Sequence, residues 1–486
     1  MSVAAALPPV RRLRSGTMAA YGFGAVAYGV KDSGFGTFLL LFYNQVVGLN
    51  PGTVGLVIMG ALLLDALIDP AVGFFSDRTR SRWGRRHPWM YASALPIAIG
   101  WIALWNPPAL SQTSTLWWLF ATAVIVRSAV SCYEVPSVAL TPELTADYDE
   151  RTRIMAYRYL FGWAGGLGML IAAYGYFLAP TATSPAMLGR AGYVGFAIAG
   201  ATAMAIAILI SAFGTHREID RLPRVTVHAQ TLRQSFRELG ETVKNRAFLV
   251  LMLAGICAYT NQGISYALSN YLYTYVWRFE GPVFVYLAMA LFVGVIIAFV
   301  VAPRVGGRTD KRRAAAIFVV LGMVFNTLPY WLRLAGIFPH PGEPALIPIV
   351  FSSFVLGTAC NVSGFILGAS MMADVVEDSE AKTGRRSEGV FFAGSFFVQK
   401  CTSGIGIFVA GAILALAGFP EKARPGLVPV ETIDRLTMFY VGVYLVVAVT
   451  AGILFSRFPF GRVEHAARLA RLAASAEAEG APHAAS

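Results

Sequence analysis

Runs of about twenty apolar residues, each closed by a short polar break, recur along this chain from end to end. A helix rising about 1.5 Å per residue needs roughly 20 residues to cross a hydrocarbon layer of about 30 Å. Each run therefore predicts a membrane-spanning helix. Twelve are expected, over approximately 18–46, 53–76, 87–106, 114–138, 154–179, 187–213, 247–276, 281–303, 314–337, 345–373, 388–418 and 432–457. The pattern predicts an all-α membrane protein, embedded in the lipid bilayer.

Composition agrees. Of 486 residues, 56% are hydrophobic and only 14% charged, and the mean hydropathy is +0.60. A soluble chain of this length carries many more charges. The 48 glycines suit the close helix approach found in membranes. The net charge of +12 could suggest nucleic acid, but its placement argues against that partner. Lys and Arg cluster at Arg78 to Arg86, from Arg217 to Arg246 and from Arg304 to Arg313, whereas the breaks after the first and third spans have none. This is the positive-inside asymmetry, and it places both termini in the cytoplasm of a multi-pass protein of the cell (inner) membrane. The start, "MSVAAALPPVRRLRSG", lacks an apolar core long enough for a cleavable signal, so the first span is expected to direct insertion.

Several chemistries find no support. Cys132, Cys257, Cys360 and Cys401 all fall in apolar spans without metal-ligand spacing and read as small buried hydrophobes. None of the six His lies in the middle of a span, which argues against a zinc site. Neither a phosphate-binding loop nor a nucleophile elbow stands out, so an enzyme is not expected.

The longest polar connector, 214–246, divides the chain into segments 1–17, 18–213, 247–457 and 458–486 around it, with six spans in each large half. The halves repeat a plan. "SDRTRSRWGRR" follows the second span and "RVGGRTDKRR" the eighth; "PELTADYDERTR" follows the fourth and "ADVVEDSEAKTGRR" the tenth. Asp77 matches Asp310. Glu143, Asp147, Arg151 and Thr152 match Asp374, Asp378, Lys382 and Thr383, at nearly the same offset. Duplicated six-helix halves are the plan of major facilitator transporters, in which substrate is expected near the midplane between the halves.

Charge inside the spans carries the functional signal. In "LLLDALIDP", Asp65 and Asp69 lie four residues apart and so about 40° apart around a helix. A carboxylate at the centre of a bilayer costs about 2.5–3.5 kcal/mol even on a lenient scale. Two that repel each other need a proton or a cation to stay buried. In "VRSAVSCYEVP", Arg127, Ser131 and Glu134 share a face, and Arg127 could pair with Glu134 as a structural lock. Lys31, Asp32, Arg158 and Lys400 also fall within spans. Tyr133, Tyr159, Trp163 and Phe365 lie near the expected centre, where aromatic faces can stack on sugar rings or simply pack.

"DALIDPAVGFFSDRTRSRWGRRHPWM" resembles the second helix and following loop of the glycoside–pentoside–hexuronide:cation symporters, the melibiose permease family. "GVKDSGFG", "YEVPSVALTPELT", "ERTRIMAYR", "ADVVEDSEAKTGRRSEG" and "FFVQKCTSG" extend the likeness over essentially the whole chain. The resemblance implies the major facilitator fold, and that Asp65 and Asp69, with Ser131 as a further oxygen, hold the coupling cation. It implies a sugar pocket lined by Asp32, Glu134 and Arg158, with Lys400 touching the cation-site carboxylates or the sugar. Three positions depart from the family: Ile68 stands where sodium-using members carry an amide, Val138 where galactoside carriers have Trp, and Phe396 where they have a hydroxyl.

The expected function is a secondary symporter working by alternating access as a monomer, with a sugar or glycoside as its small-molecule substrate and H+ or Na+ as coupling ion. Apart from that ion, no cofactor or metal is expected. Tyr133, Trp163 and Phe365 join the expected substrate contacts. A cytoplasmic gate is expected from Asp77, Arg78, Arg85, Arg86, Glu143, Asp147 and Arg151 with Asp374, Asp378, Lys382 and Arg385. A lysophospholipid or other amphiphile is the alternative substrate, and a non-transporting sensor is a further rival.

Overall fold

The computed structural model describes residues 13–145, 148–180, 186–219, 245–383 and 388–459, and every regular element among them is helical. Helix α1 is a succession of pieces, Ser15–Phe23, Ala25–Ser33, a π-helical turn Gly34–Phe38, Leu39–Leu41 and a second π turn Phe42–Val47. Gly34 and Gly36 weaken α-helical propensity where the first π turn forms. The rest of the first half is α2 (Pro51–Arg78), α3 (His87–Trp105), α4 (Gln112–Leu144), α5 (Tyr148–Ala172, continued by the π turn Ala173–Phe177) and α6 (Arg190–His216). Then follow α7 (Arg246–Tyr271, continued by the π turn Leu272–Val276), α8 (Val283–Arg308), α9 (Lys311–Leu334), α10 (Leu346–Thr383), α11 (Glu388–Leu416) and α12 (Val430–Ser456). Among the described residues, eleven helices are long and apolar enough to cross a membrane, and the interrupted α1 supplies the twelfth.

Several helices overrun their apolar stretches, α4 and α10 furthest at their C-terminal ends. α4, expected over 114–138, reaches Leu144, and α10, expected to end at 373, reaches Thr383. Lipid demands the apolar run, but helix propensity and hydrogen bonding do not stop at the lipid boundary. Polar caps fix other ends: Asn245 accepts from the N–H groups of Ala247 (2.9 Å) and Phe248 (3.2 Å), and Asp310 accepts from that of Arg312 (3.2 Å).

The chain forms two compact units. One comprises the chain up to Phe38 and from Gly60 through α6; the other comprises Leu39–Met59 and the helices from α7 onward. The hairpin tip 39–59 thus groups with the second unit, whereas the sequence places it within 18–213. Hydrogen bonds explain the grouping. Tyr271 donates to Asn44 Oδ1 at 2.8 Å, Gln45 donates to Pro420 O at 3.1 Å, and Ala423 N–H donates to Gln45 Oε1 at 2.7 Å.

The duplication reaches the backbone. After the π turn of α1, Leu49 N–H donates to Tyr43 O at 3.0 Å; after that of α7, Phe279 N–H donates to Tyr273 O at 2.9 Å. Gly48 (φ +92°) and Arg278 (φ +50°) take the left-handed position in the two turns.

Between lipid-exposed helices there is little hydrophobic drive, so packing and hydrogen bonds hold each unit. In the first unit Trp105 stacks on Tyr193 at 5.6 Å and meets Phe196 edge-on at 5.0 Å, joining α3 to α6. In the second, Trp277 packs on Tyr330 at 4.9 Å. Backbones approach closely in both: a Cβ at Gly29 of α1 would strike the Gly162 carbonyl of α5, and one at Gly263 of α7 would lie 2.8 Å from the Ser403 carbonyl of α11. Gly29→Val is therefore expected to destabilise the protein by at least the ~1–3 kcal/mol typical of overpacking. It should lower the melting temperature of detergent-purified protein by several degrees, while Gly168→Ala, with nothing within 4 Å of its Cβ, leaves it unchanged.

Candidate functional site

Asp65 lies in the middle of α2 with 2% of its surface exposed, opposite Arg127 of α4, which is 5% exposed. Arg127 donates to Asp65 Oδ2 through Nε at 2.9 Å and holds the same oxygen through Nη2 at 2.8 Å. Ser131, one turn along α4, donates to Asp65 Oδ1 at 3.0 Å. The guanidinium also lies 5.4 Å from the centroid of the Phe35 ring. The structure thus differs from an Arg127–Glu134 pair. Seven residues along one helix separate groups by about 10 Å, and the facing carboxylate on α2 is within direct reach. Asp69 follows one turn later and is half-buried, beside half-buried Ile68.

Glu134 is held from α5. Arg158 approaches its carboxylate at 4.0 Å, and a quarter of the Glu134 side chain remains exposed (25%). Arg158 itself is buried, donates to Ser137 Oγ at 2.8 Å and lies over the Tyr21 ring. Tyr21 of α1 in turn donates to Ser137 O at 2.6 Å and shares a hydrogen bond with Thr141 Oγ1 at 2.7 Å. Three helices meet around one guanidinium, so Arg158 is oriented before any ligand arrives. On α1, Lys31 is buried against the Tyr28 ring (4.3 Å) and pairs with Asp32 at 3.5 Å, leaving the Asp32 side chain 51% exposed.

The aromatic positions divide. Trp163 and Tyr159 of α5 are exposed, at 40% and 59%. Tyr133 departs from the expectation of a ligand contact: it is buried at 2% and donates to Ser211 Oγ of α6 at 3.0 Å, because its place on α4 faces inward within the unit. In the second unit, Lys400 of α11 is half-buried, and Phe365 of α10 stacks on Tyr259 of α7 at 5.1 Å.

The loop charges staple each half to itself. Arg85 Nη2 meets Glu143 Oε1 at 2.8 Å; Arg86 meets the same oxygen at 3.2 Å, pairs with Asp77 and donates to Ser76 Oγ at 2.9 Å. Arg78 covers the Phe74 ring at 3.5 Å. In the second unit Lys311 binds both oxygens of Asp374, at 2.9 and 3.1 Å, while Asp378 is buried. In each half, therefore, a base at the head of the third helix grips an acid at the end of the fourth. Asp147 and Arg385, and the side chains of Arg151 and Lys382, lie outside the described residues.

Some polar groups escaped the sequence pattern. Asn261 of α7 donates to Tyr444 O at 3.3 Å, and Asn361 of α10 donates to Tyr444 Oη at 3.1 Å. An amide within an apolar span is the signal that marks them, since it needs a partner there as a charge does.

The sequence model described as MFS/sugar transport protein matches residues 20–462. The chain is 28% identical over 411 residues to the inner membrane symporter YicJ of Escherichia coli, covering 83% of this chain and 84% of that protein. It is 23% identical to the isoprimeverose transporter of Lactiplantibacillus pentosus, covering 84% and 81%, and 23% identical to the sodium-dependent lysophosphatidylcholine symporter 1-B of Danio rerio, covering 84% and 80%. Among solved structures, the nucleoside transporter NupG superposes with a TM-score of 0.61 at 12% identity, over 91% of this chain and 100% of that one. With twelve spans, a repeated half and transmembrane charges in the expected order, the chain belongs to the MFS/sugar transport protein family, as a transporter of the glycoside–pentoside–hexuronide:cation symporter type and not an enzyme.

Proposed function

We propose that this protein moves a sugar or glycoside across the inner membrane together with H+ or Na+, by alternating access, as a monomer with both termini cytoplasmic. The observation that carries the reading is Glu134, braced from behind by Arg158 yet partly open on its other side. A carboxylate so held accepts hydrogen bonds from neighbouring sugar hydroxyls without rearranging. Asp32, exposed within a span, offers a second acceptor, and Trp163 an aromatic face. Lys400 and Phe365 are the substrate contacts proposed in the second unit, on the strength of the family resemblance. The ion is served by the α2 carboxylates, Asp69 above all, since Asp65 already carries Arg127 and Ser131. The loop pairs Arg85–Glu143 and Lys311–Asp374 act as the cytoplasmic gate, with Arg86 and Asp77 tightening the first.

A second reading, an amphiphile as cargo, is favoured by Val138 and Phe396. Both are exposed within spans, at 40% and 54%, and enlarge the apolar surface. The named activity of the lysophosphatidylcholine symporters supports the same reading.

Reconstituted liposomes loaded with an imposed Na+ or pH gradient test these readings. Labelled glycosides should accumulate above equilibrium, and excess unlabelled glycoside, not lysolipid, should compete; the opposite competition would favour the amphiphile. Asp69→Asn is expected to abolish accumulation while sparing downhill exchange, and unchanged accumulation would remove Asp69 from coupling. Glu134→Gln weakens a charge-assisted hydrogen bond to sugar and should raise KM about 10-fold or more, read from initial rates, with the protein's melting temperature nearly unchanged.

A further inference from the structure

Asp65 is fully engaged within its own unit. Its Oδ2 holds two nitrogens of Arg127, at 2.9 and 2.8 Å, and its Oδ1 takes the Ser131 hydroxyl hydrogen at 3.0 Å. All three side chains are at least nine-tenths buried. An alkali cation is a hard ion that takes several oxygen ligands at once. Here the carboxylate that would supply two of them is already paired with a guanidinium bearing a full positive charge. Any further cation on these oxygens would stand within a few ångströms of a guanidinium, where low dielectric magnifies repulsion. The guanidinium cannot leave by losing its proton, because arginine stays charged in proteins. Nor is it loosely placed, since it is buried with the Phe35 ring centroid 5.4 Å away.

We propose that Arg127 is a resident cation: it permanently fills the place at Asp65 that a mobile Na+ or Li+ would take, and it thereby determines which ions this carrier accepts. The inference rests on the reading that the α2 carboxylates serve the coupling ion. Arg127 stabilises the buried carboxylate in every ionic condition, and alkali ions have no seat at Asp65. Removing the guanidinium while keeping the oxygens of Asp65, Ser131 and Asp69 leaves a cluster suited to a small monovalent cation. Arg127 is thus a specificity-determining residue, and its loss should add an ion dependence.

Thermal unfolding and equilibrium binding of ²²Na+ on the full-length protein in detergent test this without any sugar, so the outcome stands apart from whether a glycoside is carried. Wild type and Arg127→Lys should respond alike to NaCl, LiCl and choline chloride of equal ionic strength, and any saturable Na+ binding by wild type should persist in Asp65→Asn. Arg127→Ala and the gentler Arg127→Gln, purified in NaCl, should be stabilised by several degrees in a saturable way by Na+ or Li+. Added guanidinium ion should stabilise Arg127→Ala likewise, and Asp65→Asn in that background should erase both responses. Saturable Na+ binding by wild type that Asp65→Asn abolishes would overturn the proposal. So would folded Arg127→Ala and Arg127→Gln proteins that ignore Na+, Li+ and guanidinium alike. If neither variant can be isolated folded, the wild-type ²²Na+ measurement decides alone.

Discussion

A charge in hydrocarbon must bring its own counter-charge, and the first unit is built around that requirement. Asp65 on α2 is answered by Arg127 on α4, Glu134 on α4 by Arg158 on α5, and Asp32 by Lys31 on α1. Breaking a buried pair by removing one member typically costs about 3–5 kcal/mol, so the Asp65–Arg127 link also fixes α2 beside α4. The Tyr21–Ser137–Thr141 hydrogen bonds extend the same network back to α1. Assembly and the proposed function therefore draw on the same groups: the side chains that position α1, α2, α4 and α5 include those proposed to meet ion and solute.

The second unit meets the same demand with neutral groups. Asn261 and Asn361 converge on Tyr444, and Asn44 and Gln45 on Tyr271, Tyr275 and the backbone near Pro420. The two halves share a backbone plan, down to the turns after Tyr43 and Tyr273, yet they have divided the chemistry. Charge concentrates in one and amide–phenol hydrogen bonding in the other. What remains common is the loop staple, Arg85 on Glu143 and Lys311 on Asp374.

Much of this was legible in the sequence because lipid enforces simple rules. Apolar runs located the spans, loop repeats located the halves, and Asp65 and Asp69 marked themselves by standing where charge is expensive. Partner choice was less legible. The i, i+4, i+7 pattern on α4 shows that Arg127, Ser131 and Glu134 share a face but not which neighbour that face meets, so Arg127 could be matched to Glu134 when its partner was Asp65. Tyr133 misled in the same way, because position along a span does not reveal whether a ring points into its own unit. The grouping of 39–59 with the second unit depends on contacts distant in sequence, such as Gln45 with Ala423, which no local pattern encodes.

The overrun of α4 and α10 has a mechanical consequence. At about 1.5 Å per residue, the 33 residues of α4 extend about 50 Å and the 38 of α10 about 57 Å, well beyond a hydrocarbon thickness of about 30 Å. Arg127, Glu134 and the loop acid Glu143 consequently ride on one helix, with Pro136 between the span charges and the loop acid, and Phe365 and Asp374 on another. Such helices are levers. A small tilt near the middle of the bilayer becomes a larger displacement at the staples outside it, with no relay of side chains in between.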